Sequence, residues 1–357
     1  MIHPHRVAAP VDIHRYKTAS LPDETCCETI GGIPVGIAQS KGQRPKQEDR
    51  FFFTAMPPVS DDGVRPLLSR VFADTAEVAW EKAEEEVASR REQERERIQS
   101  LEAQLTDWRS AEAKAPPPTL QDKIAVAEFH LKELEAEIQS TYSSGSTATV
   151  AVLSPGQKIA IAHIGDSPAF LFVRNHDTGE ITSHSLINPH RPNDPKEKER
   201  IEKAGGKVEF MGTWRIRDKT LSNALATSRN FGDVNFPGLS SRPAITLIDV
   251  PQYLSAHGHS PEDRAFLCVA SDGLIEYDPR HNNEPWVPMK EYETLIKQAC
   301  DEHRESEIAK FLVQHADYKG VTDNLTVAFA EISTGLQQPL ALGVLDGHGG
   351  HEVATTA

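Results

Sequence analysis

One feature constrains this chain more than any other: apolar runs that end in an aspartate, or open from one. VLDG closes the run Leu340–Leu345 at Asp346, HIGDS closes another at Asp166, and VASDG a third at Asp272. VTDN sets Asp323 just before a fourth run, and QED puts Glu48 and Asp49 ahead of RFFF. Short apolar runs bounded by Gly, Asn and Asp read as buried strands. Strand ends share one rim of a sheet, so acids placed there can converge on one point. A single Asp beside Gly is more often a turn former. The recurrence at so many strand termini makes that reading insufficient.

Clustered carboxylates repel one another and persist where divalent cations neutralise them. An all-oxygen donor set favours Mg2+ or Mn2+ over zinc. His348, two residues past Asp346, is the histidine closest to any of these acids in sequence. Arg44 lies four residues before Glu48 in GQRPKQED, and a guanidinium near bound metals suits a bidentate grip on phosphate. With two metals a bridging water becomes a nucleophile near neutral pH, and a nearby acid must protonate the leaving oxygen. His348 is the candidate for that acid. The residues point to metal-dependent hydrolysis of a phosphoester without a catalytic Ser or Cys.

Composition frames that chemistry. The chain has 357 residues, 38% hydrophobic and 25% charged, which suits one large globular domain or two modest ones. No apolar run approaches the roughly 18 residues of a membrane helix, so no span is expected. A net charge of −15 argues against nucleic acid as the main partner. Cys26, Cys27, Cys268 and Cys300 form no CxxC pair, and Cys268 in FLCVA reads as a buried thiol. An intracellular, reduced protein, cytoplasmic or nuclear, is expected. The stretch MIHPHRVAAPVDIHRYKTAS has no secretory apolar core. Arg6, Arg15 and Lys17 give it a weak organelle-targeting character, and an ordinary flexible segment over residues 1–30 is the simpler reading.

Residues 31–357 read as a single domain of class α+β. IPVGIA and RFFFTA flank the polar loop QSKGQRPKQED. Residues 69–142 then change character: a charged helical pattern, broken at Pro116–Pro118 and resumed afterwards, predicts a helical hairpin. Its first arm carries a thin apolar stripe of Ala76, Trp80, Ala83 and Val87, and residues 89–97 are polar all round. A solvated projecting helix and a partner-binding arm both fit that pattern. From Gly145 onward β-like runs (TATVAVL, KIAIAHI, AFLFVR, FLCVA, LTVAFAEI) alternate with turns. Helix-like pieces, PKEKERIEKAG and MKEYETLIKQACDEHRESEIAKFLVQHA, lie between them. Segregated helices and layered sheets are expected.

Through GQRPKQEDRF, DGHGG, SGSTATVAVL, IAHIGDSPAFLF, NPHRPNDPKEKERIEKAGGKV, GTWRI, LATSRNFGD, FLCVASDGLIEY and VTDNLTVAF, the chain resembles the metal-dependent serine/threonine protein phosphatases of type 2C, the PPM family. The resemblance covers most of residues 33–333 and the tail, apart from the hairpin. It implies a two-layer antiparallel β-sandwich flanked by helices, with a binuclear Mg2+ or Mn2+ centre in a cleft at one end. Carried over by motif, Asp346 bridges the metals and Gly347 offers its carbonyl to one. Glu48 serves one side with Asp49 in support, and Asp272 and Asp323 hold the other metal. Arg44 binds the substrate phosphate and His348 is the general acid. Asp166, Glu276 and Asn324 stand as a possible third metal site or support, and Gly273 helps to orient the backbone. The implied activity is hydrolysis of phosphoserine and phosphothreonine in proteins by a metal-bridging hydroxide. Phosphoproteins are then the substrates, a monomer is expected, and the hairpin 69–142 is a candidate partner site. The alternative is a pseudophosphatase-like binding or scaffold protein of the same fold, and a third reading makes the hairpin the main functional part.

Several positions depart from the family pattern. Pro168 follows GDS where Arg is usual, and Glu276 in DGLIE replaces an aspartate. RDKTLSNA is longer and more charged than the usual link, in the flap region beside the cleft. Trp214 fits either a flap contact or a packing residue. The order of segments departs most, because DGHGG follows the final strand instead of the QED hairpin. Three arrangements accommodate it: the tail folds back through STGLQQP into a vacant strand slot, the segment belongs elsewhere in the covalent chain, or it swaps into a second molecule.

Overall fold

A computed structural model describes residues 24–30, 33–112, 125–130, 144–218, 221, 223–278, 284–285, 287–332, 336–349 and 352–357. Two antiparallel sheets carry the architecture. The first has the order β1 (Glu24–Ile30), β2 (Ile33–Ser40), β17 (Leu325–Ile332), β14 (Arg264–Ala270), β7 (Ala169–Arg174), β8 (Ile181–Ser185). The second has the order β13 (Ala244–Asp249), β6 (Lys158–Ile164), β5 (Ala148–Ser154), β18 (Leu340–Leu345), β3 (Arg50–Ala55). A small sheet of β12 (Phe231–Gly232), β4 (Gly145–Ser146) and β19 (Gly347–His348) sits at one end. The strands β11 (Ala224–Leu225), β10 (Trp214–Arg217) and β9 (Lys207–Phe210) form a flap, and β15 (Tyr277–Asp278) pairs with β16 (Glu284–Pro285).

Period-two alternation explains why the sheets stack. In β14 the side chains of Ala265, Leu267 and Val269 enter a core shared with Leu153 and Ile161 of the second sheet, as do Leu342 and Val344 of β18. The alternate residues Phe266, Cys268 and Ala270 enter a different core beneath α5 (Met289–Asp301) and α6 (Ile308–Lys319). On the far face of the second sheet, Val64, Leu68, Phe72, Ala79 and Ala83 of α1 (Asp61–Glu112) pack against Val152, Ala160, Ile164 and Ala341. Val353 and Ala354 of α7 (Glu352–Thr356) join them. The result is the expected helix-flanked sandwich. Cys268 is the buried thiol its apolar run implied, and burial pushes its pKa up.

Of the three placements open to DGHGG, the structure shows the fold-back. β18 lies between β5 and β3, pairing Leu342 with both Ala151 and Phe53. Other elements differ from expectation. Residues 24–30, within the segment expected to be flexible, form a strand, with Ile30 paired to Ile33. The Gly-Gly between them in the sequence is a two-residue hairpin signal. Residues 1–23 lie outside the described residues.

The first hairpin helix starts at Asp61 instead of 69 and carries Pro66 in its second turn, where the ring removes the hydrogen bond to the Asp62 carbonyl. Its buried stripe runs through Leu68, Phe72, Ala79, Ala83 and Val87, which leaves Trp80 exposed. Residues 125–130 form a short α2. There Ala127 packs with Leu105, Leu101 and Trp108, and Arg109 pairs with Glu128 at 2.5 Å, as a hairpin requires. The corner Pro116–Pro118 lies outside the described residues. The single helix-like stretch after Pro288 divides into α5 and α6 at His303, which sits at φ 57. PKEKERIEK forms α3 (Pro195–Lys203), capped by Asp194, and Val250–Ala256 forms α4, capped by Asp249.

Candidate active site

A cleft of about 330 Å3 opens at one end of the sandwich. Glu48, Asp166, Asp272, Asp323 and Asp346 line it together with Arg44, Gly347 and His348. The strand-end logic holds for each acid. Asp346 leaves β18, Asp272 leaves β14, Asp166 leaves β6, Asp323 precedes β17, and Glu48 precedes β3.

Asn324 clasps these ends together. Its Oδ1 accepts from the Glu48 backbone N–H at 2.8 Å, and its Nδ2 donates to the carbonyls of Lys41 at 2.9 Å and Lys46 at 3.0 Å. The loop carrying Arg44 is thereby tied to the start of β17. Asp49 lies buried behind the rim, where Thr326 Oγ1 donates to its Oδ2 at 2.9 Å and Oδ1 has no hydrogen-bond partner. Glu276 stands back from the cleft. Its carboxylate accepts from Thr322 N–H at 2.8 Å, from the Thr322 hydroxyl at 2.5 Å and from Asp323 N–H at 3.3 Å, so it braces the turn that presents Asp323. Trp214 also lies outside the lining, edge-on to Phe210 at 5.5 Å between ring centroids. Arg215 and residues 223–226, at the end of the unusual RDKTLSNA segment, do border the cleft. Pro168 gives its carbonyl to Ala270 N–H at 3.0 Å, a sheet contact.

Acids this close shift one another. Burial, then the charges of Asp166 and Asp323, push Asp272 up to about 8. Burial and the Asp272 charge hold Asp346 well above the usual carboxylate range, and burial pushes Asp49 up to about 7. Burial also raises Asp166, against the pull of Arg191, whose Nη1 lies 2.9 Å from Asp166 Oδ2. Arg44 gives Asp323 a charge-assisted bond of 2.6 Å. Among the described residues no three His, Cys, Asp or Glu side chains already close on one point as a cation cage. The donor set is nevertheless all oxygen and short of positive charge, and a hard divalent cation supplies what such a set lacks. The residues fit that group.

The sequence reading missed Asp233. The small end sheet brings it in: β4 pairs with β12 on one side and β19 on the other, so Asp233, just past β12, meets His348 of β19. His348 Nε2 donates to Asp233 Oδ2 at 2.8 Å, and Asn230 Nδ2 donates to the same oxygen at 3.0 Å. Burial lowers the pKa of His348, but Asp233 outweighs it and the net shift is upward, toward imidazolium. Gly145 lies between the two. A Cβ there would overlap the Asp233 carboxylate and come within 2.5 Å of His348 Nε2, so the pair needs a residue with no side chain. One available signal was the Gly-Asp at the end of RNFGD, where Asp233 takes a left-handed φ of 53.

Comparison with known proteins bears on the family of the chain. Residues 70–325 match the family model described as Protein phosphatase 2C. The chain is 31% identical over 222 residues to the "Probable protein phosphatase 2C 59" of Oryza sativa subsp. japonica, covering 60% of this chain and 56% of that protein. It is 30% identical over 199 residues to "Protein phosphatase 1L" of Bos taurus, covering 55% and 47%. The chain spans about half the length of the relatives it matches. Among solved structures, the serine-threonine phosphatase 2C from Toxoplasma gondii aligns with a TM-score of 0.47 at 20% identity, over 88% of this chain and 97% of that one.

Proposed function

Because the chain belongs to the protein phosphatase 2C family, we propose that it hydrolyses phosphoserine and phosphothreonine in proteins, with Mg2+ or Mn2+ as cofactor. The observation that carries this reading is the convergence of Asp346, Asp272, Asp323 and Glu48 on one cleft with Arg44 and His348. Those four acids and the Gly347 carbonyl would hold two cations, with Asp49 behind them. Bound there, the cations supply charge neutralisation at the phosphoryl oxygens and a water that ionises near neutral pH.

The chain's own residues do the rest. Arg44 presents a planar fork of N–H donors that fits two phosphoryl oxygens. His348, whose protonated form Asp233 favours, donates a proton to the seryl or threonyl oxygen as its bond to phosphorus breaks. Asp233 accepts from Nε2, which leaves the other ring nitrogen as the proton donor. Asn324 and Glu276 hold the turn that carries Asp323, and Asp166, anchored by Arg191, borders the site as a support.

Phosphoproteins are the proposed substrates and an intracellular setting is the proposed location, a reading the free thiols Cys268 and Cys300 support. A scaffold role would be marked by lost acids, and none of Glu48, Asp49, Asp272, Asp323 or Asp346 is lost. Turnover of a phosphothreonine peptide with Mn2+, compared between wild type and Asp272→Ala, tests the proposal. Equal and negligible rates in the two proteins would sink it.

A further inference from the structure

A second group of metal-capable side chains lies away from the cleft, where the end of β8 meets the turn after α4. His184 Nε2 and His259 Nε2 face each other at 2.9 Å, and the rings of His184 and His257 lie 5.3 Å apart between centroids. Two imidazole nitrogens that close share either a proton or a cation.

The remaining ring nitrogens are committed in a way that bears on the choice. His257 Nδ1 lies 2.8 Å from the Tyr253 carbonyl. A carbonyl only accepts, so Nδ1 carries the proton and Nε2 keeps its lone pair. His259 Nδ1 lies 3.4 Å from Asp263 Oδ2, and that buried carboxylate is itself fixed by the N–H groups of His176 and Ser260. A carboxylate partner such as Asp263 orients a ligating histidine and sets its tautomer. Gly258, at φ 77, turns the chain between His257 and His259. Burial and the two neighbouring imidazoles hold His184 below the usual histidine range, in the neutral form a metal needs.

We propose that His184, His257 and His259 form a binding site for one borderline divalent cation of the zinc class, distinct from the carboxylate rim. Imidazole donors select Zn2+, Cu2+ or Ni2+ over Mg2+ and Mn2+. Among the described residues no three donors already meet at one point, so the site requires the exposed ring of His257 to leave its stack on Tyr253 and give up the Nδ1 bond to the Tyr253 carbonyl. Water completes the coordination. A cation there ties β8 to the turn before β14 and braces the edge of the first sheet.

The test uses the full chain, stripped with chelator and titrated with Co2+ alone. The expected result is one equivalent bound with the intense visible band of tetrahedral cobalt, bleached by added Zn2+. Oxygen-coordinated Co2+ at the carboxylate rim gives only weak absorption and is thereby distinguished. His184→Gln and His257→Gln are each expected to lose the band while keeping Mn2+-dependent turnover. Zn2+ is expected to raise the Tm of the wild type and not of these variants. No band in the wild type, or a band undiminished in both variants, would overturn the site and leave a His184–His259 hydrogen bond in its place.

Discussion

His348 Nε2 lies 2.8 Å from Asp233 Oδ2, although 115 positions separate the two residues in the chain. The carboxylate shifts the imidazole toward its charged form and restrains its rotation, so in the proposed reaction Asp233 would act through His348.

Replacing Asp233 with Asn keeps the shape and removes the charge. The expected result is a fall in kcat of about 10–100-fold on a phosphothreonine peptide, with KM nearly unchanged. The loss should shrink on an aryl phosphate, whose leaving oxygen scarcely needs a proton. A loss equal on both substrates, or one confined to KM, would contradict the assignment.

Asp272→Asn is expected to move activity and stability in opposite directions. Its carboxyl is pushed up to about 8 by burial and by Asp166 and Asp323, so near pH 7.5 the folded protein carries a cost that the unfolded chain does not. Removing that cost should stabilise the chelator-treated protein by something on the order of 2 kcal/mol, a few degrees in Tm. Mn2+-dependent turnover should be lost at the same time. Calorimetry and a phosphate-release assay on the same preparation check both halves.

His190 predicts a pH dependence. Burial and the neighbouring His163 and Arg229 push it down to about 3, while its ordinary value is 6.5. Its contribution to stability is therefore complete above pH 6.5 and drains away as pH falls below it toward 3, by at most about 1.4 kcal/mol per unit. The raised acids of the cleft act with the opposite sign, so the informative quantity is the difference from His190→Phe. Between pH 7 and pH 5 the wild type should lose about 1–2 kcal/mol relative to that variant in denaturant melts. A difference that stays constant with pH would refute the attribution.

The long helix divides by what it touches. Up to Ala83 its buried side chains belong to the core under the second sheet, whereas Leu101, Leu105 and Trp108 form a separate cluster with Ala127. Replacing residues 98–138 with a short flexible linker should leave Tm within about 2 °C and Mn2+-dependent turnover within about twofold, because among the described residues the two clusters share no member. Loss of folding on trimming would show that the arm belongs to the core.

What the sequence revealed about the site follows from its physics. Asp346, Asp272, Asp166 and Asp323 were legible because each terminates or opens a run whose apolar residues alternate between two buried faces. Asp233 was not legible. It reaches His348 through strands of two residues each, too short to leave any periodicity in the sequence. Glu276 looked like a candidate ligand because it follows DGLI, and only its bonds to Thr322 and Asp323 reveal a brace. The start of α1 was hidden because Asp61, Asp62, Gly63 and Pro66 read locally as a turn, and packing of Val64 and Leu68 on the sheet overrides that preference.

β18 fills the middle of the second sheet, yet β3 and β5, which flank it, precede it by most of the chain. On the ribosome both would emerge long before the strand that joins them and wait with open edges, exposed to chaperones or to misplaced pairing. Asp346, Gly347 and His348 arrive with that last strand. A chain cut short before Leu340 would therefore lack the middle strand of its second sheet together with Asp346, Gly347 and His348.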